Sequence, residues 1–369
     1  MAIDLKNIRE KVAAGLRLSF EDGVFLMTSP DLLEIGAIAD IVRRRKNGRR
    51  AHYIVNAHIN HTNICVNKCR FCAFQRGAEE EGAYAMSLET VMEEARGGWA
   101  PGVSEFHIVG GLHPGLPYSY YRGMIAALHQ AYPDVHLQAF TAVEIDYFAR
   151  IGNMGMEETL RDLKDAGLGS LPGGGAEIFD PVIRKKICPD KISGERWLEV
   201  HGAAHRAGMR SNATMLYGHI ESPEHRVDHL IQLRGQQDRT GGFLAFIPLA
   251  FHPLNTDFDE RHFTTGQLDI RMLAVSRLML DNFDHIKAFW IMISPQISQM
   301  SLFFGADDVD GTVIEEKITA AAGAQSGKAF TEARLVELIR EAGFEPFRRD
   351  TLYNSAGAAP EREPAAVSA

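Results

Sequence analysis

From residue 53 to residue 293 the hydrophobic pattern keeps switching its period. Short runs rich in β-branched and aromatic residues begin at "YIVNAHI" (53), "EFHIVGG" (105), "VHLQAFTAV" (135), "LGSLPGG" (168), "RSNATMLYG" (210), "FLAFIPLAF" (243) and "IKAFWIMI" (286). Between them lie stretches with apolar positions three and four apart, such as "SLETVMEEARGG", "MEETLRDLKDAG" and "GERWLEVHGAAHRAG". Strand then helix, repeated, predicts an α/β chain with a parallel sheet and crossover helices. Seven or eight such units closing on themselves make a (β/α)8 barrel of the TIM type, here with an irregular end. An open doubly wound sheet is the alternative. No linker breaks the run, and no repeat of fixed period is present.

The flanks read differently. In "SPDLLEIGAIADIVRRRKNG", Ser29 is placed to cap a helix, Pro30 suits its first position, and Leu32, Ile35, Ile38 and Val42 share a face. Gly48 ends it, with the basic run Arg43 to Lys46 in the last turn, where the helix dipole favours positive charge. Residues 1–50 are therefore expected to form a helical extension and 51–320 the barrel. "FTEARLVELIREAGFEPFRRD" predicts one more helix and an extended segment within 321–354, packed on the barrel, and the small, proline-containing tail 355–369 is expected to be disordered.

Composition narrows the function. A chain of 369 residues with 45% hydrophobic and 24% charged residues can bury a large core. A net charge of −9, with no domain-sized basic face, argues against nucleic acid as a partner. "MAIDLKNIREKV" lacks the apolar core of a secretory signal, and the longest apolar run, "FLAFIPLAF", is half a membrane span and carries a proline. A cytoplasmic protein with reduced thiols is the expectation.

Three of the four cysteines, Cys65, Cys69 and Cys72, fall within eight residues of "NICVNKCRFCAF", while Cys188 stands far away in "KKICPDK". An odd cluster in a long chain is a poor disulfide framework. Placed in the loop after the first predicted strand, it lies on the face where barrel enzymes do chemistry. Three thiolates at these spacings can hold three corners of a [4Fe–4S] cluster, which normally takes four, leaving one iron open. A zinc site adding His61, His58 or Cys188 is the alternative, although zinc motifs usually come as two separated Cys/His pairs. Cys188 reads as a buried, apolar-type cysteine.

Cys-x3-Cys-x-Phe-Cys, with Phe71 as the aromatic, resembles the motif of the radical S-adenosylmethionine (SAM) enzymes. The resemblance implies that the amine and carboxylate of SAM chelate the open iron and that an electron from the reduced cluster cleaves SAM to methionine and a 5′-deoxyadenosyl radical. Gly110 and Gly111 stand where such enzymes carry a Gly-Gly-Glu stretch that binds the methionine amine, with Leu112 replacing the glutamate. In "LPGGGAEIF", Gly174 and its neighbours allow close backbone approach, and Glu177 is placed to accept from ribose hydroxyls. Neither phosphate-loop pattern, GxxxxGK[ST] or GxGxxG, is present.

Longer stretches, among them "HINHTNICVNKCRFCAF", "EFHIVGGLHPGLP", "LPGGGAEIFDPVIRKKICPDKI" and "FGADDVDGTVIEEKI", resemble the aminofutalosine synthase family of menaquinone biosynthesis from about residue 10 to 350. That resemblance implies 3-[(1-carboxyvinyl)oxy]benzoate as substrate, SAM consumed as a second substrate, and an electron donor such as flavodoxin or ferredoxin. The adenosyl radical would add to the enol ether carbon, and rearrangement with loss of a carboxyl group would give 6-amino-6-deoxyfutalosine. Sister enzymes, the dehypoxanthine futalosine cyclase and the deazaflavin-forming synthases, abstract hydrogen instead. Two substrate carboxylates call for cations or oriented N–H donors. Strand-end candidates are His113, Thr141, Arg184, Arg210, His219 and His252. The pairs His201/His205 and His225/His229, four apart on predicted crossover helices, read as packing or surface residues.

Overall fold

The computed structural model describes residues 3–258, 263–313, 317–323 and 330–360. Ten strands are found among them: β1 (Arg50–Ile54), β2 (Asn56–Ile59), β3 (Glu105–Ile108), β4 (His136–Ala139), β5 (Ser170–Leu171), β6 (Arg210–Tyr217), β7 (Phe243–Ala250), β8 (His285–Ile286), β9 (Asp308–Gly311) and β10 (Glu345–Arg348). Strands β2 to β8 pair in sequential order, every pair parallel. Sequential parallel pairing with a helix in each crossover is the predicted α/β barrel topology.

The irregular end is the seam of the ring. "YIVNAHI" is two strands, since β1 pairs with β9 and β10 while β2 opens the large sheet. Only Val55 lies between them, so one extended run passes from one sheet to the other. On the far side Asp307 N–H donates to Ile286 O at 3.1 Å and Ala288 N–H to Asp308 O at 2.7 Å, while His52 N–H donates to Asp307 O at 2.7 Å. Residues 307 to 311 thereby join β8 to β1 and complete the circle. "IKAFWIMI" was expected as one strand, yet Trp290–Ile293 is a helical turn. Trp290 is buried there, stacked on Phe330 at 4.2 Å with its indole N–H on Gly311 O. Burying that ring overrides the β-propensity of the run.

The N-terminal extension holds three helices, Leu5–Ala13, Phe20–Thr28 and Leu32–Asn47. Ser29 ends the second instead of capping the third, which begins after Asp31 and leaves Pro30 outside. Arg43 does more than meet a helix dipole: fully buried, it donates to Ala306 O, Gly48 O and Arg50 O. The helix Glu332–Glu341 leads to β10, which extends the sheet beside β1. In the tail, Ala356 N–H still donates to Arg348 O at 3.0 Å. Residues 361–369, part of the segment expected to be disordered, lie outside the described residues.

The bottom of the barrel is closed by buried ion pairs. Asp307 receives Arg277, and also His285 at 2.6 Å, while Asp308 accepts from Arg349 Nε and the Tyr353 hydroxyl at 2.6 Å each. With charges committed there, the open cavity lies at the other end, where the strands finish.

Candidate active site

The loop after β2 carries the three cysteines and is pinned from every side. Cys65 N–H donates to Arg76 O and Cys72 N–H to Cys69 O, which folds the loop on itself. Val66 N–H donates to Leu112 O, and Gly111 N–H to Thr62 O at 2.8 Å, tying it to the end of β3. Arg70 N–H reaches Ile187 O and Lys68 N–H the Asp190 carboxylate at 3.2 Å, both beyond β5. These bonds satisfy the backbone of an otherwise irregular segment and fix where its side chains point.

Cys65, Cys69 and Cys72 line one end of a cavity of about 340 Å³ inside the barrel, together with Phe71, Gly110, Gly111, Gly174 and Glu177. Thr141 and His252, of the strand-end candidates, also line it. The other four do not. Arg210 is the first residue of β6, exposed at the barrel's lower end. Arg184 is buried behind the glycine loop, where it donates to Gly175 O and Ile178 O and holds the loop's shape. The His219 ring is enclosed beside Glu221 at 3.1 Å. His113 sits half-buried, its Nδ1 accepting from Gly115 N–H. Cys188 is buried without lining the cavity. His201 and His229 are enclosed packing residues, on Ser211 and against Phe179 respectively, as the sequence suggested.

The glycines are there for close approach. A Cβ on Gly111 would lie 2.2 Å from Ile64 O, and one on Gly110 2.5 Å from the His61 ring. A Cβ on Gly173 would meet Thr214 Cγ2 at 2.7 Å, and Gly175 holds φ +87°. We expect Gly111→Ala to displace the cysteine loop, costing about 1–3 kcal/mol and lowering bound iron. Gly97→Ala, whose Cβ would meet nothing within 4 Å, is the control. Thermal midpoints and iron content after identical reconstitution check the pair.

Two buried acids that face the cavity differ in their partners. Glu177 pairs with Lys191 at 2.6 Å, and the ammonium also lies 5.1 Å from the centre of the Phe71 ring. Glu144 caps its own helix through Thr141 and accepts from Gly110 N–H at 3.1 Å. Burial pushes its carboxyl up to about 7. Lys191 and Glu144 escaped the sequence reading. Lys191 stands inside "KKICPDK", where only the cysteine drew notice, and Glu144 presents itself as an ordinary capping-box residue.

The floor of the cavity was also missed, although its signal was legible. Asn56 and His58 on β2, Glu105 and His107 on β3, and Asn212 and Thr214 on β6 alternate with apolar residues, and all line the cavity. A period-two polar stripe on buried strands marks an interior that receives something other than core side chains.

Two protein-family models cover most of the chain: the Radical SAM superfamily matches residues 59–233 and the CofH/MqnC C-terminal region residues 240–361. An aminodeoxyfutalosine synthase of Thermus thermophilus is 46% identical over 94% of this chain and 94% of its own. The chain belongs to the radical SAM superfamily. A 5-amino-6-(D-ribitylamino)uracil–L-tyrosine 4-hydroxyphenyl transferase of Methanothermobacter thermautotrophicus is 42% identical, over 90% of this chain and 93% of its own. A cyclic dehypoxanthine futalosine synthase of Streptomyces coelicolor is 37% identical, over 95% and 88%. Among solved structures, methylornithine synthase superposes with a TM-score of 0.72 at 17% identity, over 92% of this chain and 97% of that one, which shows the shared fold.

As a radical SAM enzyme the protein uses a [4Fe–4S] cluster and SAM, and the site fits them. Among the described residues, the group of three ligands compact enough for a single ion is His52, His285 and Asp307, within 4.8 Å of one another at the barrel bottom. The three cysteines are free thiols that line the same end of the cavity, the donor set of three thiolates that a cubane with one open iron calls for. Burial pushes the Cys69 thiol up to about 12 and raises Cys72, while Lys191 opposes both shifts. Thiolates here therefore need nearby positive charge, which Lys191 provides and a cluster held by these cysteines would add. His61, an alternative zinc ligand in the sequence, has its ring against Gly110 and away from the cavity. When bound, the cluster supplies the electron that cleaves SAM. No helix among the described residues is long and apolar enough to cross a membrane.

Proposed function

We propose that this radical SAM enzyme is an aminodeoxyfutalosine synthase, joining the adenosyl group of SAM to 3-[(1-carboxyvinyl)oxy]benzoate with release of methionine and one carboxyl carbon. The observation that carries the reading is near-full-length similarity, at 46% identity, to a protein of that name. In this reading Cys65, Cys69 and Cys72 ligate the cluster, while Phe71, Gly110, Gly111, Gly174 and Glu177 surround SAM. Thr141 and His252 face the substrate from the rim. Walls of Leu216, Ile247, Leu249 and Phe251 suit an aromatic ring and keep water from a reactive carbon centre. The setting is cytoplasmic, with a small reducing protein such as flavodoxin or ferredoxin as electron donor.

An activated alkene held beside the adenosyl carbon favours addition, because an ether oxygen and a carboxyl group on one carbon stabilise the radical that remains. Reduced enzyme given ribose-labelled SAM and the enolpyruvyl benzoate should place the label in aminofutalosine, with one methionine per product. Label found only in free 5′-deoxyadenosine, with dehypoxanthine futalosine consumed, would assign the chain to the cyclase branch instead. Release of 5′-deoxyadenosine with L-tyrosine as substrate would assign it to the 4-hydroxyphenyl transferases.

A further inference from the structure

The geometry points to the floor of the cavity, at His58, His107 and Lys287, as the seat of one substrate carboxylate. Seating it draws one proton from solvent onto the imidazole pair. This rests on the reading above that the substrate is an aromatic dicarboxylate.

The first observation is the charge inventory. Among the described residues lining the cavity, Lys191 and Lys287 face four carboxyl groups, those of Glu105, Glu144, Glu177 and Asp310. Both lysines are already engaged, Lys191 with Glu177 at 2.6 Å and Lys287 with Asp310 at 3.0 Å. A dianion entering this cavity therefore meets no uncommitted cation among these side chains, and SAM and the cluster lie at the opposite end, by the cysteines. Burying a carboxylate without a compensating charge is strongly unfavourable. Either a group at the floor becomes positive as it binds or a carboxylate is neutralised. Glu144, pushed up to about 7, is held by Thr141 and Gly110 N–H away from the floor, and the histidine variants below separate its share of any uptake.

The second observation is what stands at the floor. His58 and His107 are register partners on β2 and β3, and their rings stack at 4.7 Å with 21° between planes. His107 Nδ1 lies 3.1 Å from Gln138 Oε1, an amide oxygen that can only accept, so Nδ1 carries the proton and Nε2 is a lone pair in the neutral ring. His58 is more than nine-tenths buried and has no hydrogen bond among the described residues. Asn212 Oδ1, on the facing strand, is buried without a partner. An unpartnered polar floor is costly unless a ligand completes it.

The surrounding charges set the direction. Burial keeps both imidazoles below their ordinary value, and Lys287 reinforces this. Glu105 on β3 and Asp310 on β9 pull His107 the other way. On β4, His136 is turned to Ser170. The imidazoles are thus held toward their neutral form, with carboxylates near enough that one further anion tips the pair to its charged form. Two stacked rings share a single proton more readily than they hold two, because like charges at this distance repel.

The test is proton-linked binding. Substrate carboxyls are ionised throughout pH 7 to 8.5, with ordinary values of about 4, so they contribute no slope. In the oxidised, SAM-loaded enzyme, where no turnover occurs, calorimetry of the enolpyruvyl benzoate in buffers of different ionisation enthalpy should report uptake of close to one proton. Its Kd should rise about tenfold per pH unit over that range. His58→Gln/His107→Gln, which can donate but not charge, should weaken binding at least tenfold at pH 7 and flatten the slope, with iron content and SAM affinity unchanged. Zero uptake with a flat Kd in the wild type overturns the inference, whatever the variant does. A wild type that forms aminofutalosine yet shows no uptake sinks the seat alone. Failure to bind or turn over the benzoate removes the reading and the seat together.

Discussion

Replacing Cys65, Cys69 or Cys72 by alanine, one at a time, is expected to strip the protein of its cluster and reduce product formation to background. Three thiolates are the minimum that holds a cubane while leaving an iron for SAM, and two do not retain it. The loop itself should survive. Its position comes from backbone bonds such as Val66 N–H to Leu112 O and Arg70 N–H to Ile187 O, none of which uses a thiol. Melting temperature of the iron-free Cys65 and Cys72 variants should therefore stay close to that of iron-free wild type, with buried Cys69 losing about 1 kcal/mol of packing. Cys188→Ala gives the contrast. That side chain is buried outside the cavity, so its loss costs about 1 kcal/mol of packing and leaves iron, sulfide and visible absorbance intact. Loss of the cluster in Cys188→Ala, or its retention in Cys69→Ala, would refute the assignment.

Lys191→Met is expected to be the most destabilising single change at the rim of the site. Lys191 and Glu177 are paired at 2.6 Å with side chains 13% and 8% exposed, so methionine leaves a carboxylate enclosed without its cation. Breaking such a pair from one side costs about 3–5 kcal/mol. Part of that loss should be recovered in Lys191→Met/Glu177→Gln, where the orphaned charge is gone. Chemical denaturation of the four proteins in the cycle measures the coupling directly. Equal stability of the single and double variants would show that the pair is screened by solvent and carries little. A second consequence follows for the metal site. Lys191 opposes the upward shift of the Cys69 and Cys72 thiols, so its removal should also shift cluster loading to higher pH. This appears as lower iron content at neutral pH after identical reconstitution.

What the sequence determined by itself is whatever rests on local pattern. Alternation of strand and helix from residue 53 onward already specifies parallel strands joined by crossover helices, while their sequential order around a ring, against an open doubly wound sheet, was decided by the tertiary structure. Cysteines at 65, 69 and 72, directly after a strand, already place a thiolate loop at the end of the barrel that carries chemistry. Gly174 and its neighbours were legible as glycines that allow close approach, whereas Gly111 was marked only by resemblance to a Gly-Gly-Glu stretch and its contact with Ile64 O comes from the fold. Tertiary structure decided everything that depends on which way a strand runs into the ring and on what neighbours it meets there. Arg210 reads as a strand-end cation, but it is the first residue of an eight-residue strand, so it faces the opposite end from the cavity. Arg184 reads as a free guanidinium after a glycine loop, and the loop's own carbonyls consume its donors. The split of "YIVNAHI" between two sheets needed β9 and β10, about 255 to 295 residues away, to supply the pairing partners. Lys191, Lys287 and the His58–His107 pair come from distant parts of the chain, and only barrel closure turns them inward upon one space. Their charge states follow from that enclosure, since burial and the count of neighbouring carboxylates are properties of the closed ring and of no segment within it.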